Sequence, residues 1–66
     1  PVLKVGDFVR VKEDNKDFPG EYGEIVEMAS SLLVKFAAYN VARHSGGHFK
    51  DGHCWWFQPE QLELVD

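Results

Sequence analysis

Apolar side chains in this chain return at every second residue and almost nowhere at the spacing of a helix. In DFVRVK (residues 7–12), Val9 and Val11 fall on one side and Arg10 and Lys12 on the other, the pattern of a strand with one face buried. EIVEM (24–28) follows Gly23 and is rich in β-branched residues, so it reads as a second strand. LLVKF (32–36) sets Leu32, Val34 and Phe36 on a common side, and HCWWF (53–57) reads as a fourth strand from its aromatic content. LELV (62–65) closes the series with Leu62 and Leu64 directed inward. Pro59 opens PEQL, which suits one 3₁₀ turn, because proline is tolerated at a first helical position.

The connections have a distinct chemistry. EDNKDFPGEYG (13–23) is charged, lacks periodicity and carries a Pro19-Gly20 pair that favours a tight turn, so it forms a long loop between strands 1 and 2. Ser30 and Ser31 make a short polar reversal, which joins strands 2 and 3 as a hairpin. Residues 37–52 form a long insertion between strands 3 and 4, in which AAYNVAR could take a helical turn, too short to stand without packing. The expectation is a single all-β domain over residues 1–66: a five-stranded SH3-like barrel with a 3₁₀ turn before the last strand. Closing the sheet would remove exposed edges.

A chain of 66 residues is near the lower limit for an unaided apolar core, but aromatic residues at 14% bury the most area each. No apolar run approaches the roughly 18–20 residues needed to span a bilayer. The opening PVLKVGDF has no long apolar segment of the signal-peptide type. One cysteine cannot form an internal disulfide, so a cytoplasmic protein is expected. The formal charge is −4, with Glu13, Asp14, Asp17, Glu21, Glu24 and Glu27 crowding one stretch. Lys4, Arg10, Lys12, Lys35, Arg43 and Lys50 are scattered, which does not promise the basic stripe of a nucleic-acid binder.

The runs VGDFVRVK, GEYGEIVEM, LLVKF and FQPEQLELV resemble the skeleton of bacterial SH3-like barrels. Similar runs occur in the variable chain of ferredoxin–thioredoxin reductase and in the photosystem I subunit that docks ferredoxin. The segment GGHFKDGHCWWF departs from those photosynthetic proteins and is more similar to small phage and bacterial proteins in which a Gly-His loop runs into a Trp-Trp strand. Both resemblances imply a binding module rather than an enzyme. The second implies a phage or mobile-element origin, with interference with a host protein as its natural role.

Residues 44–57, HSGGHFKDGHCWWF, hold all three histidines, the one cysteine, both tryptophans and three of six glycines. His44, His48, His53 and Cys54 match the four-ligand count of a closed zinc site, but His53 and Cys54 are adjacent and diverge on a strand, whereas zinc patterns space paired ligands. The same divergence weakens a Cys54–His53 nucleophilic dyad, and no phosphate loop or nucleophile elbow accompanies it. No cofactor is expected. The loop can instead fold back over the strands, with His48 and His53 bonding loop carbonyls, Trp55 and Phe57 sharing a core face, and Cys54 and Trp56 turned away.

An outward Trp56 would place a large ring on the surface, where Phe8, Phe18, Tyr22 and Tyr39 could join it. The binding surface is therefore assigned to Phe18, Tyr22, Tyr39 and Trp56 as apolar anchors, with Asp14, Asp17 and Glu21 as an acidic wall. Such a groove would take a protein partner with a basic or proline-containing segment. The opposite reading for Trp56 is burial under residues 38–43. Small barrels also stack bases on exposed aromatics, which makes nucleic acid the alternative partner if Lys4, Arg10, Lys12 and Lys35 meet on one face.

Overall fold

The structure, a computed structural model, describes residues 2–49 and 52–65. Five strands form one antiparallel sheet: β1 (Phe8–Val11), β2 (Tyr22–Met28), β3 (Leu32–Lys35), β4 (Cys54–Phe57) and β5 (Leu62–Leu64), in the order β4-β3-β2-β1-β5. A 3₁₀ helix, Pro59–Gln61, leads into β5. Its start is fixed reciprocally, since the Gln58 amide donates to Gln61 Oε1 and the Gln61 amide to the Gln58 carbonyl.

β2 begins two residues earlier than its β-branched run suggests, and Gly23 is the reason. Gly23 sits opposite Val9, and a Cβ built there would lie 2.6 Å from Val34 Cγ1 and 2.7 Å from the Lys35 carbonyl oxygen. Only a residue without a side chain lets β1, β2 and β3 approach so closely. Between Ile25 and Glu27 the β2–β3 register shifts, leaving Val26 as a bulged residue that bends the strand. β2 therefore pairs with β1 through its first half and with β3 through the remainder.

The alternation of β1 and β3 translates into packing. Val9, Val11, Ile25, Leu32, Val34, Phe36, Phe57 and Leu62 are the buried core, with Leu3, Phe18 and Trp55 against its margin. Leu64 departs from its expected inward place: it is exposed, because β5 is a three-residue edge strand with nothing paired beyond it among the described residues. The expected closure of the sheet is likewise not seen, and among the described residues β4 and β5 remain edges. Their protection is of another kind. β5 is short, and at β4 the His44 ring lies 4.8 Å from Trp55 while the Ser45 carbonyl accepts from Trp56 Nε1 at 2.9 Å. Consecutive insertion residues thus touch both faces of that edge strand, one way natural sheets blunt an edge.

The insertion contains no helix among its described residues. At 37–43, Asn40 Oδ1 accepts from the Ala42 amide and the Asn40 carbonyl from the Arg43 amide, so an Asn-centred turn replaces the expected helical one. Arg43, read from sequence as one of several scattered bases, is 2% exposed. Its guanidinium carbon lies 4.5 Å from the Phe18 ring centre and 4.2 Å from that of Phe36. Nη1 donates to the Ala38 carbonyl at 2.7 Å, and Nη2 pairs with the Glu21 carboxylate. One side chain thereby ties the insertion to the β1–β2 loop through the aromatic core margin.

Candidate functional site

Register determines what the outer face of the sheet displays. With Val9, Val11 and Ile25 inward, Phe8, Arg10, Tyr22, Glu24 and Lys35 point outward, paired as Phe8 with Glu24, Arg10 with Tyr22, and Glu24 with Lys35. Phe8 and Tyr22 are diagonal neighbours across β1 and β2, and they are 61% and 63% exposed. Between them and the end of β3 lies a depression of about 340 Å³, floored by Lys35, Phe36 and Ala37. A second depression of about 470 Å³ shares those three residues and continues to Phe49 and His53. The two lie on either side of this shared lining, with exposed aromatic rings at their outer ends, Phe8 and Tyr22 in one and Phe49 in the other, and together they are called the groove below.

The far end is held in place locally. The carbonyl of Phe36 can only accept, so its 3.2 Å contact with His53 Nδ1 requires the imidazole to donate from that nitrogen. The Tyr39 ring lies edge-on to His53 with centres 6.0 Å apart and covers Gly52, where an added Cβ would sit 2.2 Å from Tyr39 Cε2. Gly52 has φ +96°, a backbone state that side chains rarely adopt. At the near end, Arg10 donates to Glu63 at 2.8 Å and also pairs with Glu13, while its guanidinium lies 5.8 Å from the Tyr22 ring centre. Glu63, and secondarily Glu13 and Tyr22, raise the Arg10 pKa further above its already high ordinary value.

The seven residues assigned from sequence do not form one surface. Tyr22 and Tyr39 stand at the two ends of the groove region. Phe18 is half-buried on the inner face, 5.9 Å from Phe36 and 5.6 Å from Trp55, ring centre to ring centre. It holds φ +53°, a left-handed conformation uncommon for a bulky residue. Trp56 lies on the opposite face of β4 from Trp55 and therefore from Phe18. It is half-buried, with His48 perpendicular at 5.3 Å and its indole N–H on the Ser45 carbonyl, so the insertion meets it through residues 45 and 48. Glu21 is engaged by Arg43. Asp14 is exposed, and the half-buried Asp17 donates its amide to Asn15 Oδ1 at 3.3 Å.

The candidate metal ligands also separate. His44 lies against Trp55, His48 Nδ1 is 2.6 Å from Glu27 Oε2, and His53 meets the Phe36 carbonyl. Cys54 is buried, and that burial raises its thiol pKa despite the opposing influence of Lys35. Among the described residues no three His, Cys, Asp or Glu side chains gather where they could hold a metal ion. Of the scattered bases, Arg10 and Arg43 are consumed by acids, and Lys50 lies outside the described residues.

Phe49 and Lys35 as groove residues, and Arg43 as a strut, escaped the sequence reading. Lys35 carried a signal, since it alternates outward from Leu32–Val34–Phe36; Phe49 and Arg43 sit in irregular backbone and carried none. No helix among the described residues is long and apolar enough to cross a membrane. Scans against protein-family models and curated proteins returned no match.

Proposed function

We propose that the chain is an SH3-like barrel serving as a non-catalytic protein-interaction module that binds an extended, proline-containing segment along the outer groove. The observation that carries this reading is the lining shared by the two depressions, Lys35, Phe36 and Ala37, which lies between Phe8 and Tyr22 on one side and His53 and Phe49 on the other. An extended peptide presents side chains on alternate sides, and a polyproline helix pays little ordering entropy on binding, so an aromatic-lined trough suits it. Glu24 in the groove lining, with Asp14 on the neighbouring loop, favours a basic residue flanking the proline. The strand order, with a 3₁₀ turn before the last strand, supports the SH3-like assignment. The protein is cytoplasmic in this reading, its thiol reduced, and the Gly-His and Trp-Trp resemblance supports a phage or mobile-element protein directed at a host partner.

The test is a backbone amide titration with peptides selected from a displayed library of proline-containing sequences with basic flanks. Shifts should concentrate at Tyr22, Lys35, Ala37 and His53 and respond mildly to salt. Failure to select any binder, or shifts confined to Trp56 and its neighbours, would remove the proposal. Tight oligonucleotide binding that weakens steeply with salt would replace it with a nucleic-acid function.

A further inference from the structure

A separate concavity of about 370 Å³ lies between the β2–β3 turn, the glycine loop and Trp56, and it shares no lining residue with the groove. Its volume falls near the lower end of the roughly 300–1,000 Å³ typical of small-molecule sites. Charged residues make up 27% of the chain, yet among the described residues no Asp, Glu, Lys or Arg lines this pocket. The lining offers instead hydroxyls, an imidazole and an indole.

The indole, the imidazole and two of the hydroxyls are oriented. Trp56 donates its indole N–H to the Ser45 carbonyl at 2.9 Å, which fixes the half-exposed ring in place. The residue opposite it on β3, Leu33, is fully buried. Glu27 lies 2.6 Å from His48 Nδ1, so Nε2, without a partner among the described residues, is the ring nitrogen left to meet a ligand. The Ser45 hydroxyl is spent on the Phe49 amide and carbonyl. Ser31 Oγ accepts from Gln58 Nε2 at 2.9 Å, which leaves its proton to donate outward. Ser30 is exposed at the tip of the turn closed by the Ala29 amide on the Ser31 carbonyl. Gly46, at φ +68°, adds no side chain to the opening.

A fixed aromatic surface ringed by hydroxyls and an imidazole matches one ligand chemistry well: a ring with an apolar C–H face and a rim of hydroxyls. We propose that this pocket binds an uncharged saccharide, stacked on Trp56 and hydrogen-bonded by Ser30, Ser31 and His48. Anionic sugars are disfavoured, since among the described residues no lysine or arginine lines the site, the His48 imidazole already faces the Glu27 carboxylate, and the chain carries a net charge of −4.

The test titrates the intact chain with glucose, galactose, N-acetylglucosamine and their short oligomers, following backbone amides and the indole N–H by NMR. At least one sugar should give saturable shifts at the Trp56 indole, Ser30, Ser31 and Gly46. Ser30→Val and His48→Leu, both at exposed positions, should each weaken that binding about tenfold, equivalent to one charged or well-aligned hydrogen bond, with unchanged melting temperatures. No saturable shift from any sugar in the panel, shifts that map to the groove, or binding indifferent to both substitutions would overturn the assignment.

Discussion

Replacing Arg43 with methionine should destabilise the protein by about 2–3 kcal/mol, the balance of several opposed terms. The guanidinium lies within 4.5 Å of two phenylalanine ring centres, and a desolvated cation–π contact contributes about 0.5–2 kcal/mol. Its hydrogen bond to the Ala38 carbonyl, from a charged donor, contributes about 1.5–3 kcal/mol, and its loss strands that acceptor. The Glu21 partner is 42% exposed, so the ion pair adds at most about 1 kcal/mol. Against these stands the cost of desolvating a cation whose Nε has no partner among the described residues. Methionine keeps the stem and much of the volume, which confines the comparison to the charge and its bonds.

For a domain of this size the change corresponds to a fall in melting temperature of about 10–20 °C. Urea unfolding followed by tryptophan fluorescence would report it, because Phe18, stacked against Arg43, also contacts Trp55. Arg43→Lys should fall between wild type and Arg43→Met, since an ammonium cannot stack on both rings or present a planar fork. Glu21→Gln should cost less than about 1 kcal/mol. An Arg43→Met protein as stable as wild type, or more so, would refute the reasoning by showing that desolvation cancels every contact the guanidinium makes.

Three further outcomes follow from packing and charge. Gly23→Ala should cost about 1–3 kcal/mol or more, measurable by thermal denaturation, because one of the atoms its Cβ meets is the Lys35 backbone oxygen, which cannot swing away. Cys54, buried and with its thiol pKa pushed up, should resist a soluble disulfide reagent in the native state and react only at the rate of unfolding. Asp7 is held below its ordinary carboxyl value of 3.8 chiefly by the Lys4 amide and then by the Lys4 ammonium. A depressed folded pKa contributes stability that is present above 3.8 and lost as pH falls through the lowered value, so Asp7→Asn should flatten the stability profile in that acid window.

The parts of this fold that alternation governs were legible from local sequence: Val9 with Val11, and Leu32 with Val34 and Phe36, are buried on one side of their strands. What escaped depends on contacts between distant segments. Leu33 and Cys54 alternate outward yet are fully buried, because the insertion covers the outer face of β3 and β4. The apolar runs LLV and CWWF carried that message, since strands covered on both faces lose their polar alternation. Arg43 gave no such sign: nothing local marks an arginine destined to sit between Phe18 and Phe36 and to reach Glu21, which is 22 residues away. The candidate site was read too broadly for the same reason. Phe18 and Trp56 do not share a surface, because Phe18 packs on Trp55, which alternates to the opposite face of β4 from Trp56.

The groove assignment is tested most directly by Tyr22→Ala, measured for stability and for affinity toward a selected proline-containing peptide on the same preparation. Tyr22 is 63% exposed and contributes little to the core, so the melting temperature should stay within about 3 °C of wild type while affinity falls tenfold or more. Unchanged affinity would place the binding surface elsewhere, and a large loss of stability would show that the exposed ring is structural after all.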